Sequence, residues 1–274
     1  MSEAPTAGPG GLGQANGSAM RVAVVGASSG LGRCIGIGLA DRGAHVALLA
    51  RRRDRLQKAA KEAGHGAVPV VCDVTEESSC RQAIAAAVDA LGGLDALVYS
   101  TGIGIMAPLA DTDASMWTRL FATNVVGAAL ITAAAVPQLE ASAGAAVYIS
   151  SLSASMTPPW PMLGGYAVSK AALDKLVEAW RGEHPGIAFT RLAVGDSYGG
   201  KGDSQTEFPA TWDPAMLSKA IEKWFAAGYM NGGLVGPEDL TDTVEFLLRR
   251  GDGGFIPYLT LSPRPPARQN AGEG

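Results

Sequence analysis

From residue 21 to residue 262 the chain alternates two patterns of apolar and polar positions. The first is a short apolar run with few interruptions, seen in residues 22–25, HVALLA (45–50), AVPVVCDV (67–74), LDALVYSTG (94–102), AAVYISS (145–151), IAFTRLAVG (187–195) and FIPYLTLS (255–262). Runs of this length predict strands, and the β-branched stretch 22–25 predicts one buried on both faces. The second pattern repeats apolar residues at helical spacing. It covers GRCIGIGLADRGA (32–44), with Ile35 and Leu39 on one face and a stop at Gly43. It continues in RDRLQKAAKEAGHG (53–66), opened by Asp54 as N-cap and closed by Gly64, and in TEESSCRQAIAAAVDALGG (75–93). DASMWTRLFATNVVGAALITAAAVPQLE (113–140) predicts one long helix or two abutting ones, and further helices are expected from Tyr166 onward, over 213–230 and over 237–251.

Strand and helix in regular alternation predict an α/β fold. The expectation is a single-domain, doubly wound parallel sheet of about seven strands with helices on both faces, binding ligands at the carboxyl ends of the strands. Residues 1–19 and 265–274 break the pattern with Gly, Pro, Ala and polar residues, and are expected to form a disordered leader and tail around a body at 20–264.

Charge and composition then narrow the function. The formal charge of −4 leaves no basic excess for a nucleic-acid partner. The first residues lack an apolar signal core, and no uninterrupted apolar run nears the roughly 18 residues of a membrane span, so a cytoplasmic protein with no membrane partner is expected. Cys34, Cys72 and Cys80 form no C-x-x-C pair and have no histidine at ligand spacing, so no metal site is expected.

Two segments carry candidate chemistry for a nucleotide. The first strand runs into Gly26-Ala27-Ser28-Ser29-Gly30-Leu31-Gly32 and then a helix. Glycines at such a turn let backbone approach a pyrophosphate, which rests on the free N–H groups of the helix start. No G-K-[ST] follows, which excludes a triphosphate-cleaving P-loop. After the second strand, Ala50 is followed by Arg51, Arg52, Arg53, Asp54 and Arg55. Cations in front of a helix oppose its dipole and invite a ligand anion. A non-acidic residue followed by arginine at this place favours the 2′-phosphate of NADP(H) over the free ribose of NAD(H), with Arg51 first and Arg52 second. Asp73, ending the third strand, either accepts from the adenine amino group or serves the helix start beside it.

The order of motifs, a glycine-rich turn, Asp73-Val74, T-N-V-V-G around Asn124, I-S-S at 149–151 and Y-A-V-S-K at 166–170, resembles the short-chain dehydrogenase/reductase family over about residues 20–262. That resemblance implies a Rossmann-type oxidoreductase that binds NADP(H) and self-associates as a homodimer or homotetramer. It implies Tyr166 as general acid/base, Lys170 as the residue that lowers the phenol pKa and bonds the nicotinamide ribose, Ser151 as the polariser of the substrate oxygen, and Asn124 as part of a proton relay. It also places Ser100, Thr101 and Gly102 beside the cofactor. Two serines remain open for the polarising role: the strand end favours Ser151, and spacing back from Tyr166 favours Ser153. Departures from the family pattern are Tyr99-Ser100-Thr101-Gly102 in place of N-N-A-G, with Ser100 or Thr101 expected to substitute in part, and Val194-Gly195-Asp196 in place of P-G. The substrate segments fall near 153–165 and 197–233. Their Met156, Trp160, Met162, Phe208, Trp212, Met216 and Trp224 suit a lipophilic carbonyl or alcohol, although Trp224, Phe225 and Tyr229 suit helix core equally. A different class of function, an NADP(H)-binding redox sensor without turnover, would share the nucleotide site but has no use for the Tyr-Lys pair.

Overall fold

Each apolar run becomes a parallel strand. The computed structural model describes residues 19–230, 232–249 and 254–264, so the expected leader over 1–18 and the tail lie outside the described residues. The strands are β1 (Arg21–Val25), β2 (His45–Ala50), β3 (Val68–Val71), β4 (Ala96–Tyr99), β5 (Ala145–Ser151), β6 (Ala188–Val194) and β7 (Tyr258–Leu261). They form one seven-stranded sheet in the order β3-β2-β1-β4-β5-β6-β7. β1 is central, pairing Val22 with Val46 of β2 and with Ala96 of β4. Winding reverses between β1 and β4, so the loops leaving these strands diverge and open a crevice at their carboxyl ends.

The helices are α1 (Gly30–Asp41), α2 (Arg53–Ala63), α3 (Glu77–Leu91), α4 (Ala114–Phe121), α5 (Gly127–Ala141), α6 (Gly164–Glu183), α7 (Pro214–Ala226) and α8 (Pro237–Leu248). Side chains alternate across the sheet with a period of two, which divides the core. Val22 and Val24 pack with Ile35, Leu39, Leu56 and Val244 of α1, α2 and α8 on one face, whereas Ala23 and Val25 join the cluster of Ile84, Ile131, Leu139 and Leu173 from α3, α5 and α6.

A smaller apolar lobe unites the two expected substrate segments. Met106, Leu163, Ala220 and Trp224 form its buried centre, with Trp160, Met162, Trp212 and Tyr229 packed around them. Trp224 donates from Nε1 to the Pro161 carbonyl at 2.9 Å and meets the Trp160 ring at 5.1 Å. Of the three residues left open between core and pocket, Trp224 is therefore lobe core, Tyr229 stacks on Trp160, and Phe225 is exposed.

Two boundaries differ from expectation, and the 113–140 segment takes one of its two expected forms. α2 begins at Arg53 with Arg52 at its N-cap, so Asp54 is not the cap but lies in the first turn, where its charge suits the helix dipole. α7 stops at Ala226, short of 230, because Gly228 takes a φ of +71° that ends the helix. α4 and α5 are joined through a π-helical turn, Ala122–Val126, into one continuous rod. By length and mean hydropathy of 1.7 the rod, Ala114–Ala141, is apolar enough to cross a membrane. It packs against α3 and α6.

Candidate active site

The phosphate end of the crevice is set by backbone geometry. Gly26 has a φ of +93°, and a Cβ there would sit 2.8 Å from Thr101 Oγ1, while one at Gly32 would sit 2.5 Å from the Gly26 carbonyl oxygen. Glycine alone lets this turn close so tightly against the end of β4. At the start of α1, Ser29 makes no side-chain cap and the first turn has no acidic residue. The positive helix end is thus left for an anion. This cradle fits a dinucleotide pyrophosphate.

Arg52 turns onto the same loop, donating from NH2 to Ser28 Oγ and Ser29 Oγ, both at 2.8 Å. Arg51, placed first by the sequence, is exposed and its charge lowers the pKa of Asp73, whereas Arg52 is the one of the two that contacts the loop. The cause is strand alternation. Ala50 faces the α1 side of the sheet, so the next residue is directed away from it and Arg52 returns to it. Arg55, one turn further along α2, shares with Arg52 the carboxylate of Glu207. The sequence places Arg55 in the basic run and offers Glu207, with Asp203 and Lys201, as a group that could equally bind a polar substrate, but it does not pair the two. The three-residue spacing of Arg52 and Arg55 was a usable signal, whereas Glu207 lies in a loop distant in the chain. Asp73 Oδ1 accepts from Thr75 N at 3.0 Å and Thr75 Oγ1 at 2.7 Å, closing the turn before α3, and Val74 is buried against Gly127.

The loop after β4 departs from the family pattern, and its replacement bond comes from an unexpected residue. Buried Tyr99 donates from its hydroxyl to the Thr123 carbonyl of the π-helical turn at 2.6 Å. Ser100 Oγ, expected to substitute, is buried without a hydrogen-bond partner. Asn124, fully buried, grips this loop from the same turn: Oδ1 accepts from Ile103 N at 2.8 Å, and Nδ2 donates to Ile103 O at 3.0 Å and Ser169 Oγ at 2.8 Å. A π turn widens the helix locally and is frequent at functional sites. Gly102 is brought so close that a Cβ there would lie 3.2 Å from Lys170 Nζ.

The reactive side chains meet at the carboxyl end of β5. The Ser151 hydroxyl lies near enough to the Tyr166 phenol to lower its pKa, and Ser153 Oγ lies 2.9 Å from Ser151 Oγ. Of the two serines left open by sequence, Ser151 stands beside the phenol and Ser153 supports it. Lys170, one helical turn after Tyr166 on α6, is buried and donates to the Ile149 carbonyl at 2.8 Å. The sequence predicts that Lys170 depresses the phenol pKa, but here burial dominates and raises it to about 12, opposed by the Ser151 hydroxyl. The reason lies in the packing. Phe208 meets the Tyr166 ring edge-on at 4.9 Å, and the ammonium is aimed at a backbone carbonyl. Burial also brings Lys170 down to about 8, with Asp174 opposing. Asp174 is buried below the lysine, accepting from Ser150 Oγ at 2.5 Å and Arg191 NH1 at 2.7 Å. Its place four residues after Lys170 on one helix face was a legible signal.

Asp196, at the departure after β6, carries a carboxyl that burial raises to about 6. Its folded pKa stands above the ordinary value, so ionisation costs stability progressively from about pH 4 and fully above pH 6. Asp196→Asn is expected to stabilise the protein by about 1–2 kcal/mol at pH 7.5, after discounting for partial exposure, and by almost nothing at pH 3.5. Denaturant melts at both pH values check this. Equal effects at the two would show that the carboxylate is solvated.

With this geometry in hand, comparison with known proteins is decisive at the family level. Residues 20–195 match the short chain dehydrogenase family. The chain belongs to that family. Among its short-chain dehydrogenase relatives, one from Pseudocercospora fijiensis is 35% identical over 177 residues, which are 62% of this chain and 57% of that protein. The cis-4-hydroxycyclohexanecarboxylate dehydrogenase of Sinomonas cyclohexanicum is 31% identical over 234 residues, covering 84% of this chain and 89% of its own. An alcohol dehydrogenase from Thermococcus sibiricus, solved in complex with 5-hydroxy-NADP, matches with a TM-score of 0.74 at 25% identity, over 88% of this chain and 96% of that one. The first four curated relatives are matched over only 19 to 58% of their own lengths. Within the short-chain dehydrogenase framework, Tyr99 begins the Y-S-T-G that stands in place of N-N-A-G, and its hydroxyl bonds the Thr123 carbonyl.

Proposed function

We propose that this short-chain dehydrogenase is an NADP(H)-dependent oxidoreductase that interconverts a carbonyl and a secondary alcohol. The observation that carries the reading is the convergence of Ser151, Tyr166 and Lys170 at the carboxyl end of β5, beside the glycine cradle. The nicotinamide, when bound, supplies or accepts the hydride. Residues Gly26, Ser28, Ser29, Gly30, Leu31 and Gly32 would hold the pyrophosphate, and Arg52 with Arg55 the 2′-phosphate. Asp73 and Val74 would border the adenine, and Ser100, Thr101 and Gly102 the ribose near Lys170. Tyr166 exchanges a proton with the substrate oxygen, Ser151 donates a hydrogen bond to that oxygen as charge develops, and Lys170 supplies the positive charge beside them. A phenol standing at about 12 holds its proton at neutral pH. The Thermococcus sibiricus alcohol dehydrogenase in complex with 5-hydroxy-NADP supports the choice of cofactor. Phe208 against the phenol ring, and the apolar lobe built on Met106, Met162 and Leu163, favour a lipophilic substrate. Self-association through the α4–α5 rod and α6, and residence in the cytoplasm, complete the proposal.

Titration with NADPH and with NADH, read by nicotinamide fluorescence, tests the cofactor assignment without any choice of substrate. Selective binding of NADPH followed by reduction of lipophilic ketones is expected. Binding of neither would overturn the reading, and NADPH binding with no turnover would favour a redox sensor.

A further inference from the structure

The segment after β6 lies across the crevice and holds on to both of its ends. Arg33 Nε, from the buried side of α1, donates to Ser204 Oγ at 3.1 Å and fixes the start of this strap. Thr206 then rests on the phosphate loop, 3.5 Å from where a Gly30 Cβ would be. Glu207 gives one carboxylate oxygen to Arg52 and the other to Arg55, and Ser29 Oγ lies 3.4 Å from the first. The next residue, Phe208, abuts the Tyr166 ring and packs so close to Gly104 that a Cβ there would be 2.3 Å from its Cζ. Trp212 Nε1 fastens the far end to the Gly104 carbonyl at 2.9 Å.

Two successive side chains therefore take the arginines of the phosphate end and the phenol of the reaction end. Any dinucleotide reaching from Arg52 to Tyr166 must cross residues 206–208. Glu207 also answers an electrostatic need. Arg52 stands at the N-cap of α2, where the dipole opposes a cation, and an anion between Arg52, Arg55 and the start of α1 relieves that field. Burial would raise the Glu207 carboxyl, but the two guanidinium groups hold it below its ordinary value.

We propose that Glu207 is an internal surrogate for the cofactor's 2′-phosphate, so that NADP(H) enters by exchanging one anion for another on Arg52 and Arg55 while the strap lifts from Tyr166. This rests on the dinucleotide reading above. The exchange makes Glu207 a determinant of cofactor affinity, while the arginine pair it occupies sets the selectivity. NADP(H) refills the arginine pair that the strap gives up, whereas NAD(H) must lift the same strap and leaves two guanidinium groups without an anion.

The test uses the full chain carrying Glu207→Gln, with Phe208→Ala as a second variant that releases the other end of the strap. For each, Kd values for NADPH and NADH are measured by fluorescence, together with the melting temperature of the protein without nucleotide. Glu207→Gln is expected to bind both dinucleotides more tightly, by about 3- to 30-fold, while its melting temperature falls. Phe208→Ala is expected to shift both affinities in the same direction. A contact that serves only the fold would lower the melting temperature without tightening either nucleotide, so unchanged or weaker NADPH binding in Glu207→Gln overturns the proposal. Wild-type protein that binds neither nucleotide would be a different failure, removing the cofactor reading and this inference with it.

Discussion

Tyr166→Phe is expected to lower turnover by about 10²- to 10⁴-fold while leaving NADPH affinity within a few-fold of wild type. The substitution removes one hydroxyl from a ring whose packing against Phe208 does not depend on it. It deletes the only group proposed to exchange a proton with the substrate oxygen, and it leaves the Ser151 hydroxyl in place. Ser151 alone can still polarise the oxygen, so residual activity near the upper end of that range would measure its share. Steady-state kinetics with a reduced ketone, combined with NADPH titration of the variant, separates chemistry from binding. Retained turnover would remove Tyr166 as the acid. A Lys170→Met variant is not an equivalent probe, because the lysine also donates to the Ile149 carbonyl and its loss disturbs β5 itself.

Arg52→Ala is the second large effect. It is expected to reduce the ratio of NADPH to NADH affinity by about 10- to 100-fold, as loss of a charge-assisted phosphate contact implies. The ratio is the informative quantity. Arg52 also holds Glu207, so its removal loosens the strap for both nucleotides and obscures either Kd taken singly. Arg51→Ala is the paired control, since Arg51 is exposed and does not face the loop. If the control lowers the ratio and Arg52→Ala does not, the alternation of side chains leaving β2 has been misjudged.

Much of this architecture was legible in the sequence, for reasons that are local. Unbroken apolar runs such as HVALLA and AAVYISS have no stable placement except inside a covered sheet, and the glycines at 26, 30 and 32 answer a steric demand that any chain must meet at this turn. The Tyr166 and Lys170 pair was legible because four residues is one helical turn. What was not legible depends on contacts between distant segments. Nothing near Glu207 in the chain announces that it meets Arg52 and Arg55, and nothing near Phe208 announces that it shields Tyr166 and helps to invert the expected phenol shift. Proximity to the strand favours Arg51, whereas the direction of the side chain, which brings Arg52 to the loop, depends on strand alternation. Ser100 and Thr101 were expected to replace the missing asparagine because they are small and polar. The bond is instead made by the larger Tyr99, whose ring is also part of the core.

That tie from Tyr99 to Thr123 bears on how this lineage can change. The phenol fits only because position 127 is glycine: a Cβ there would stand 3.0 Å from the hydroxyl oxygen and 2.8 Å from Val74 Cγ2. The ring also contacts Tyr148, whose own hydroxyl is paired with Thr132 on α5. Restoring asparagine at 99 would leave a void among these groups and withdraw the partner of the Thr123 carbonyl. Enlarging residue 127 would collide with the phenol. A step back to asparagine at 99 therefore passes through a damaged protein, so the departure is held in place by its neighbours, Gly127 of the T-N-V-V-G motif among them.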